Sequence, residues 1–275
     1  MTIVAGMRFN GGVILCADTQ ETIDQYSKTW TPKLVVKPQP WYAKDSPDDL
    51  MVAMAGAGEG PWVDKLTERA WEDVKEARSF ENACAGMEES IKESYRHYGA
   101  IFQPGAMPSA ELLYGVKMQA KSGLFRASGP LVKELDYAAI GAGRHLADFL
   151  TDRLHQRYFP GPQAVILAAY VLFQCIEHVD GCGGDKHIAA LNEAGDSGML
   201  DPVRIDFLVT QLRDVQDAAA DLLLSAPDFS MRPEDFDEGM KSLIERIKEM
   251  RRTGEHMKKL LDEMRTRRPE PVPRP

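Results

Sequence analysis

The 275-residue sequence has only four cysteines, Cys16, Cys84, Cys175 and Cys182, and no two of them form a CxxC pair. That speaks against a disulfide framework and against a two-cysteine zinc or redox motif. Cys16 and Cys175 lie in apolar runs and read as buried free thiols, as in a reducing compartment. No uninterrupted apolar run reaches the roughly 20 residues that a membrane-crossing helix needs. No secretory leader precedes the first alternating segment. Together these absences predict a cytoplasmic protein with no membrane partner. Basic residues are the minority, 33 Lys and Arg against 42 Asp and Glu, and the net charge of −9 is the wrong sign for a general nucleic-acid binder. The six histidines, His97, His145, His155, His178, His187 and His256, have no metal-ligand spacing and read as surface or helix residues. Neither a metal nor an organic cofactor is expected. No repeat of solenoid period is present.

What the sequence does have is a strand at its very beginning. Ile3, Ala5, Met7 and Phe9 alternate with Val4, Gly6 and Arg8, and Asn10-Gly11-Gly12 is a hairpin signal. Residues 13–17 are nearly all apolar, the mark of a strand covered on both faces. A polar stretch follows, then strands over 33–36 and 51–58, with a proline-rich loop around Pro38 and Pro40 between them. Helices are predicted over 61–78 and 80–97. Strands follow over 110–119 and 123–138, with a break at Lys121-Ser122-Gly123. Helices over 144–157 and 162–178 and a last strand over 186–192 complete the series. This order predicts two sheets face to face with a helical layer outside each, an α+β four-layer αββα sandwich.

Past Gly198 the pattern changes. Ile205, Leu208, Leu212, Val215, Ala219 and Leu222 recur at alternating spacings of three and four. After a loop with Pro227 and Pro233, Phe236, Met240, Leu243, Ile247, Met250, Gly254, Met257, Leu261 and Met264 do the same. That is a coiled-coil seam, expected as an antiparallel helical hairpin. It either extends oligomer contacts or folds back on its own domain. The basic, proline-rich end "RTRRPEPVPRP" reads as a disordered tail. The division expected is a domain over 2–198, a helical hairpin over 199–266 and a tail over 267–275.

Four features near the start can carry chemistry: Thr2, Asp18, Lys33 and the run "AMAGAGEG" at 53–60. If Met1 is removed, Thr2 carries an α-amine beside its hydroxyl, and an amine of pKa about 8 can take the hydroxyl proton. A charged Lys33 lowers the hydroxyl and amine pKa values, and Asp18 keeps that lysine charged and in place. Gly56, at a strand end, can offer a backbone N–H to a developing oxyanion. Each part also has an ordinary reading: a turn aspartate, a solvated lysine, a glycine that allows close packing.

The motifs Thr2-Ile3-Val4-Ala5-Gly6, Phe9-Asn10-Gly11-Gly12-Val13-Ile14-Leu15, Ala17-Asp18-Thr19, Lys33-Leu34-Val35, Ala55-Gly56 and Ala139-Ile140-Gly141-Ala142-Gly143 resemble those of proteasome β-type subunits. They are similar also to the peptidase of the bacterial two-component ATP-dependent protease. Both are N-terminal nucleophile hydrolases, and the resemblance covers about residues 2–195. It implies that Thr2 is the nucleophile, Asp18 and Lys33 its tuning pair and Gly56 the oxyanion donor. It places Thr22 where a substrate strand pairs and Met54 at the floor of a pocket for an apolar side chain. Glu21 beside that pocket would disfavour acidic side chains. It also implies a self-assembled ring, unfolded protein or peptide substrates and an ATP-dependent unfoldase partner.

The sequence departs from that pattern at two places. Ala142 stands where the resemblance implies a serine that helps to bind the amine and a water. Val179 and Cys182 stand where it implies an aspartate and a serine, and Asp180 is one place off. The reading is therefore a threonine peptidase of reduced activity. A catalytically retired scaffold subunit and a small-amide hydrolase of the same fold are the alternatives.

Overall fold

The computed structural model describes residues 2–23, 27–38, 50–101, 107–156, 158–193, 197–227 and 230–266. In chain order the elements are β1 (Ile3–Phe9), β2 (Gly12–Asp18), β3 (Gln20–Ile23), β4 (Ser27–Trp30), β5 (Leu34–Lys37), β6 (Met51–Gly58), α1 (Gly60–Val74) and α2 (Phe80–Gly99). They continue with β7 (Ala110–Met118), β8 (Lys121–Ser128), β9 (Leu131–Leu135), β10 (Tyr137–Gly141), α3 (Arg144–Leu154) and α4 (Gly161–His178). Last come β11 (Lys186–Asn192), β12 (Gly198–Met199), α5 (Pro202–Ser225) and α6 (Pro233–Thr266). Among the described residues the chain is thus mixed α/β, with six helices and antiparallel sheets. No helix among them is long and apolar enough to cross a membrane.

Two five-stranded sheets, ordered β10-β1-β2-β11-β12 and β5-β6-β7-β8-β9, carry the structure, and β3-β4 is a separate two-stranded ribbon. The period of two in β1 sorts its side chains. Ile3, Ala5, Met7 and Phe9 pack against α3, α4 and α5, while Val4 faces the core between the sheets. β2 divides in the same way, Ile14 and Cys16 to the helices, Val13, Leu15 and Ala17 to the sheets. That is why it reads as a continuous apolar run. In β6, Val52 and Met54 face α1 and α2, and Met51, Ala53, Ala55 and Ala57 face the inter-sheet core. Leu113 of β7, fully buried, joins that same inter-sheet core.

Two expectations are corrected, and the polar stretch after β2 proves to be the β3–β4 ribbon, in which Gln20 pairs with Trp30 and Glu21 with Thr29. Its residues lack an apolar alternation because it is not part of either five-stranded sheet. The break placed at Lys121-Ser122-Gly123 lies instead at Gln119 and Ala120, where Gln119 takes φ 54°, and Gly123 pairs with Val116 in mid-ladder. The single strand expected over 123–138 is three, β8, β9 and β10. The chain turns at Gly129 (φ 60°), and Pro130 beside it has no N–H for a ladder.

α4 is apolar on nearly all sides because it is covered on nearly all sides. β1 and β2 lie under it, and Ile205, Leu208, Val209 and Leu212 of α5 join the same cluster. Gln174 Nε2 donates to Gln216 Oε1 at 2.7 Å, and the Arg213 guanidinium lies 5.1 Å from the Phe173 ring centre. α5 and α6 run antiparallel, since Leu222 lies against Gly239 and Arg246 Nη1 donates to the Asp214 carbonyl. Their seam is only partly closed. Phe236, Leu243 and Met250 are half-buried, and Met240, Ile244 and Ile247 remain more than 40% exposed. Met257, Leu261 and Met264, expected in this seam, have side chains outside the described set, and the tail over 267–275 lies outside the described residues.

Leu113→Ala removes side-chain volume from the closed core between the sheets. Urea unfolding should show a loss of about 3 kcal/mol at an unchanged m-value.

Candidate active site

The site assembles where β1 begins, β2 ends and β5 is about to begin. Thr2 precedes β1 and Asp18 closes β2, so antiparallel pairing of β1 with β2, Val4 opposite Ala17, brings the two residues side by side. Thr2 Oγ1 donates to Asp18 Oδ1 at 2.5 Å. Asp18 is fully buried. Its Oδ1 also accepts the Ile3 N–H at 3.2 Å, and its Oδ2 accepts the Gly183 N–H at 2.9 Å. Lys33, one residue before β5, donates to Thr2 Oγ1 at 2.6 Å, to Asp18 Oδ1 at 2.8 Å and to the Gln20 carbonyl. The hydroxyl therefore sits between a carboxylate that accepts its hydrogen bond and an ammonium that polarises its oxygen.

Two glycine turns hold these groups. Gly141 takes φ 88°, and a Cβ there would meet the Thr2 carbonyl oxygen at 2.3 Å. Only glycine lets the end of β10 come this close to Thr2. The Gly143 N–H donates to the Thr2 carbonyl at 3.3 Å. Gly184 (φ 80°) packs where a Cβ would meet Thr19 Oγ1 and the Trp30 ring, and beside it Gly183 O accepts the Gln20 N–H at 3.0 Å. The Gly183-Gly184 turn thus ties Asp18 to the β3–β4 ribbon.

A cavity of about 500 Å³ opens onto Thr2. Lys33, Gly56, Ala142, Glu21, Val63 and Asp64 are among the residues that line it. Gly56 is reachable for a reason of register. β5 begins at Leu34, opposite Ala55, so the edge of β6 that faces away from β7 has no β5 partner from Gly56 onward, and Gly56 pairs only with Leu112 on the other side.

The other sequence-derived candidates fall out differently. Glu21 lines the cavity, where its Oε2 accepts the Thr31 hydroxyl at 3.0 Å. Thr22 pairs with Lys28 in the ribbon backbone. Ala142 is exposed at the cavity wall and brings a methyl where a serine hydroxyl was expected. Met54 is not the floor of this cavity. It is 1% exposed and buried in the cluster under α1 and α2, because the pleat turns it to the helix side of β6, and Val63 of α1 lines the wall instead. Val179 and Asp180 lie in the turn after α4, and the exposed Asp180 makes none of the hydrogen bonds that reach Thr2, Asp18 or Lys33. Cys182 is buried, and its thiol is pushed up to about 12, first by burial and then by the negative Asp18, against the pull of Lys33. Asp64 lines the cavity too. Sequence reasoning missed it, because one exposed acid on the outer side of a helix looks like any solvated residue.

This is a proteasome-like fold. The solved structures to which the chain is similar include Anbu from Hyphomicrobium sp. strain MC1, with TM-score 0.63 and 14% identity over 80% of this chain and 97% of that one. They include Anbu from Yersinia bercovieri, described as an ancestral beta-subunit, with TM-score 0.62 and 14% identity over 79% and 96%. The helical assembly of the Anbu complex from Pseudomonas aeruginosa follows, with TM-score 0.62 and 12% identity over 80% and 96%. No protein-family model matches the sequence, and no curated protein does. These likenesses show the fold alone. They also correct the resemblance drawn from the opening motifs: the neighbours named here are Anbu, where the motifs pointed to β-type subunits of the proteasome or to the two-component peptidase. The strand, aspartate and lysine motifs that carried that resemblance do not separate it from this related fold.

Burial also raises Cys16 and Cys84 to about 12, and Cys175 further still. At pH 8 a thiol of pKa about 12 is thiolate in roughly one molecule in 10,000. Iodoacetamide at pH 8 should leave all four cysteines of the native protein unmodified by mass spectrometry and alkylate all four in guanidinium. Rapid labelling of any one in the native state would contradict this burial.

Proposed function

We propose that the chain is an amide hydrolase whose nucleophile is the Thr2 hydroxyl, acting on peptide bonds after cleavage of the Met1–Thr2 bond. The observation that carries the reading is the placement of Thr2 Oγ1, 2.5 Å from Asp18 and 2.6 Å from Lys33, at the mouth of a cavity that Gly56 lines. In the mechanism an extended substrate lies along the open edge of β6, by strand addition. Thr2 Oγ attacks the scissile carbonyl carbon, and the Thr2 α-amine takes the hydroxyl proton. The Gly56 N–H stabilises the oxyanion. The C–N bond breaks as the amine returns the proton to the leaving nitrogen. Water then hydrolyses the Thr2 ester and releases the acid. Lys33 polarises the Thr2 oxygen, and Asp18 pairs with Lys33 and holds it in place. None of these steps draws on a metal or an organic cofactor.

We read the two sheets with their outer helices as the expected four-layer sandwich over residues 2–198, and α5 with α6 as an added hairpin over 199–266. A catalytically retired scaffold is the second reading, favoured by the methyl of Ala142 in place of a hydroxyl. Intact-protein mass after expression, with and without a peptide epoxyketone that closes a ring on both the amine and the hydroxyl of an N-terminal threonine, separates the two. The hydrolase should lack Met1 and gain one adduct per chain, and Thr2→Ala should gain none. Retained Met1, or a free Thr2 that never reacts, would establish the scaffold.

We also propose that copies of this chain associate through α6. Met240, Ile244 and Ile247 form one stripe at helical spacing on that helix, each more than 40% exposed, and a neighbour of the same fold is described as a helical assembly. The double variant Ile244→Lys with Ile247→Lys should fall to a smaller mass by light scattering while keeping its melting temperature. An unchanged mass would remove α6 from the contact.

A further inference from the structure

The cavity that opens onto Thr2 carries two carboxylates with no counter-charge. Glu21 reaches it from β3 and Asp64 from α1. Glu21 is held by one hydrogen bond and lies beside the first residue of α1. Its Oε2 accepts the Thr31 hydroxyl, and a Cβ on Gly60 would lie 3.0 Å from its Oε1. The carboxylate therefore lies at the N-terminal end of α1, where the helix dipole favours negative charge. Among the described residues neither Glu21 nor Asp64 makes an ion pair. The one cation among the described residues of the lining, Lys33, directs its ammonium to Thr2, Asp18 and Gln20, so its charge is met by Asp18. Burial, and after it the negative charges of Glu68 and Glu21, hold the Asp64 carboxyl above its ordinary value, as expected for an acid whose neighbours are acids.

Much of the rest of the wall is apolar. Pro32, Ala57, Pro61 and Val63 line it, and Met54 is turned away into the helix-side core. A straight aliphatic stem fits along such a wall, with a cationic head between the two acids. We propose that this cavity selects a substrate with a lysine or arginine side chain next to the bond that Thr2 attacks, and that Glu21 and Asp64 set the preference. The proposal rests on the reading of Thr2 as the nucleophile, but the preference itself is a property of the cavity and is measurable without turnover.

The test uses the full chain carrying Thr2→Ala and three fluorescein-labelled hexapeptide amides that differ only in their last residue, Arg, Leu or Glu, with binding followed by anisotropy. The Arg peptide should bind roughly ten-fold more tightly than the Leu peptide, from two partly solvated charge contacts, and the Glu peptide weakest of all. Adding Glu21→Gln and Asp64→Asn should bring Arg and Leu to parity at an unchanged melting temperature. Equal or tighter binding of Leu, no binding of any peptide, or an Arg preference that survives both substitutions would overturn the proposal. Hydrolysis of the same peptides by the unsubstituted chain is measured separately. An Arg preference without any hydrolysis would sink the hydrolase reading and leave the cavity's preference standing.

Discussion

The fully buried carboxylate of Asp18 is the constraint on which the rest of the site depends. A carboxylate without water is costly unless its lone pairs are met by donors and its charge by a cation. Here four groups from three parts of the chain meet it: the Thr2 hydroxyl and the Ile3 N–H, the Gly183 N–H and the Lys33 ammonium. The start of β1, the turn before β11 and the approach to β5 must all be in place before this charge is compensated. Reactivity and folding are therefore coupled at one atom group. The ammonium that compensates Asp18 is the same one that polarises the Thr2 oxygen.

How much of this was legible in the sequence follows from which interactions are local. β1, β2, β6, β7, α4 and β11 stand out because alternation or a continuous apolar run reports directly on which faces are buried. The β3–β4 ribbon does not, since it is held by Gln20 and Glu21 through backbone pairing and by the Gly183 turn. Side-chain hydropathy does not record that. The split of the expected strand at Ser128-Gly129-Pro130 was written in the sequence as a turn signal, but the apolar residues on both sides masked it. α5 and α6 were legible as helices. That the first half of α5 buries itself on α4 while the outer stripe of α6 stays open depends on a partner surface far away in sequence.

Within the site, Thr2, Asp18, Lys33 and Gly56 were singled out together by the resemblance of their motifs, and the pairing of β1 with β2 and of β5 with β6 brings them near one another. Met54 was misplaced for a reason of parity: in a strand a residue's side is fixed by odd or even count, and Met54 falls on the helix side. Asp64 was invisible because its meaning comes from Glu21, 43 positions earlier, across a cavity that exists only in the folded chain.

α4 has a further consequence, for the order in which the molecule is made. Its sequence, GPQAVILAAYVLFQCIEH, is greasy on both sides, and its outer face is covered by Ile205, Leu208, Val209 and Leu212 of α5, with Met250 of α6 against the same cluster. Those covers are translated after it. With a ribosome adding roughly 5–20 residues per second, the helix leaves the exit tunnel seconds before its own lid. During that interval a nascent chain displays one of the most adhesive segments of the protein to everything around it. The C-terminal helices act as a shield for the segment that precedes them, and the moment of greatest risk for this protein falls during synthesis, before any function begins.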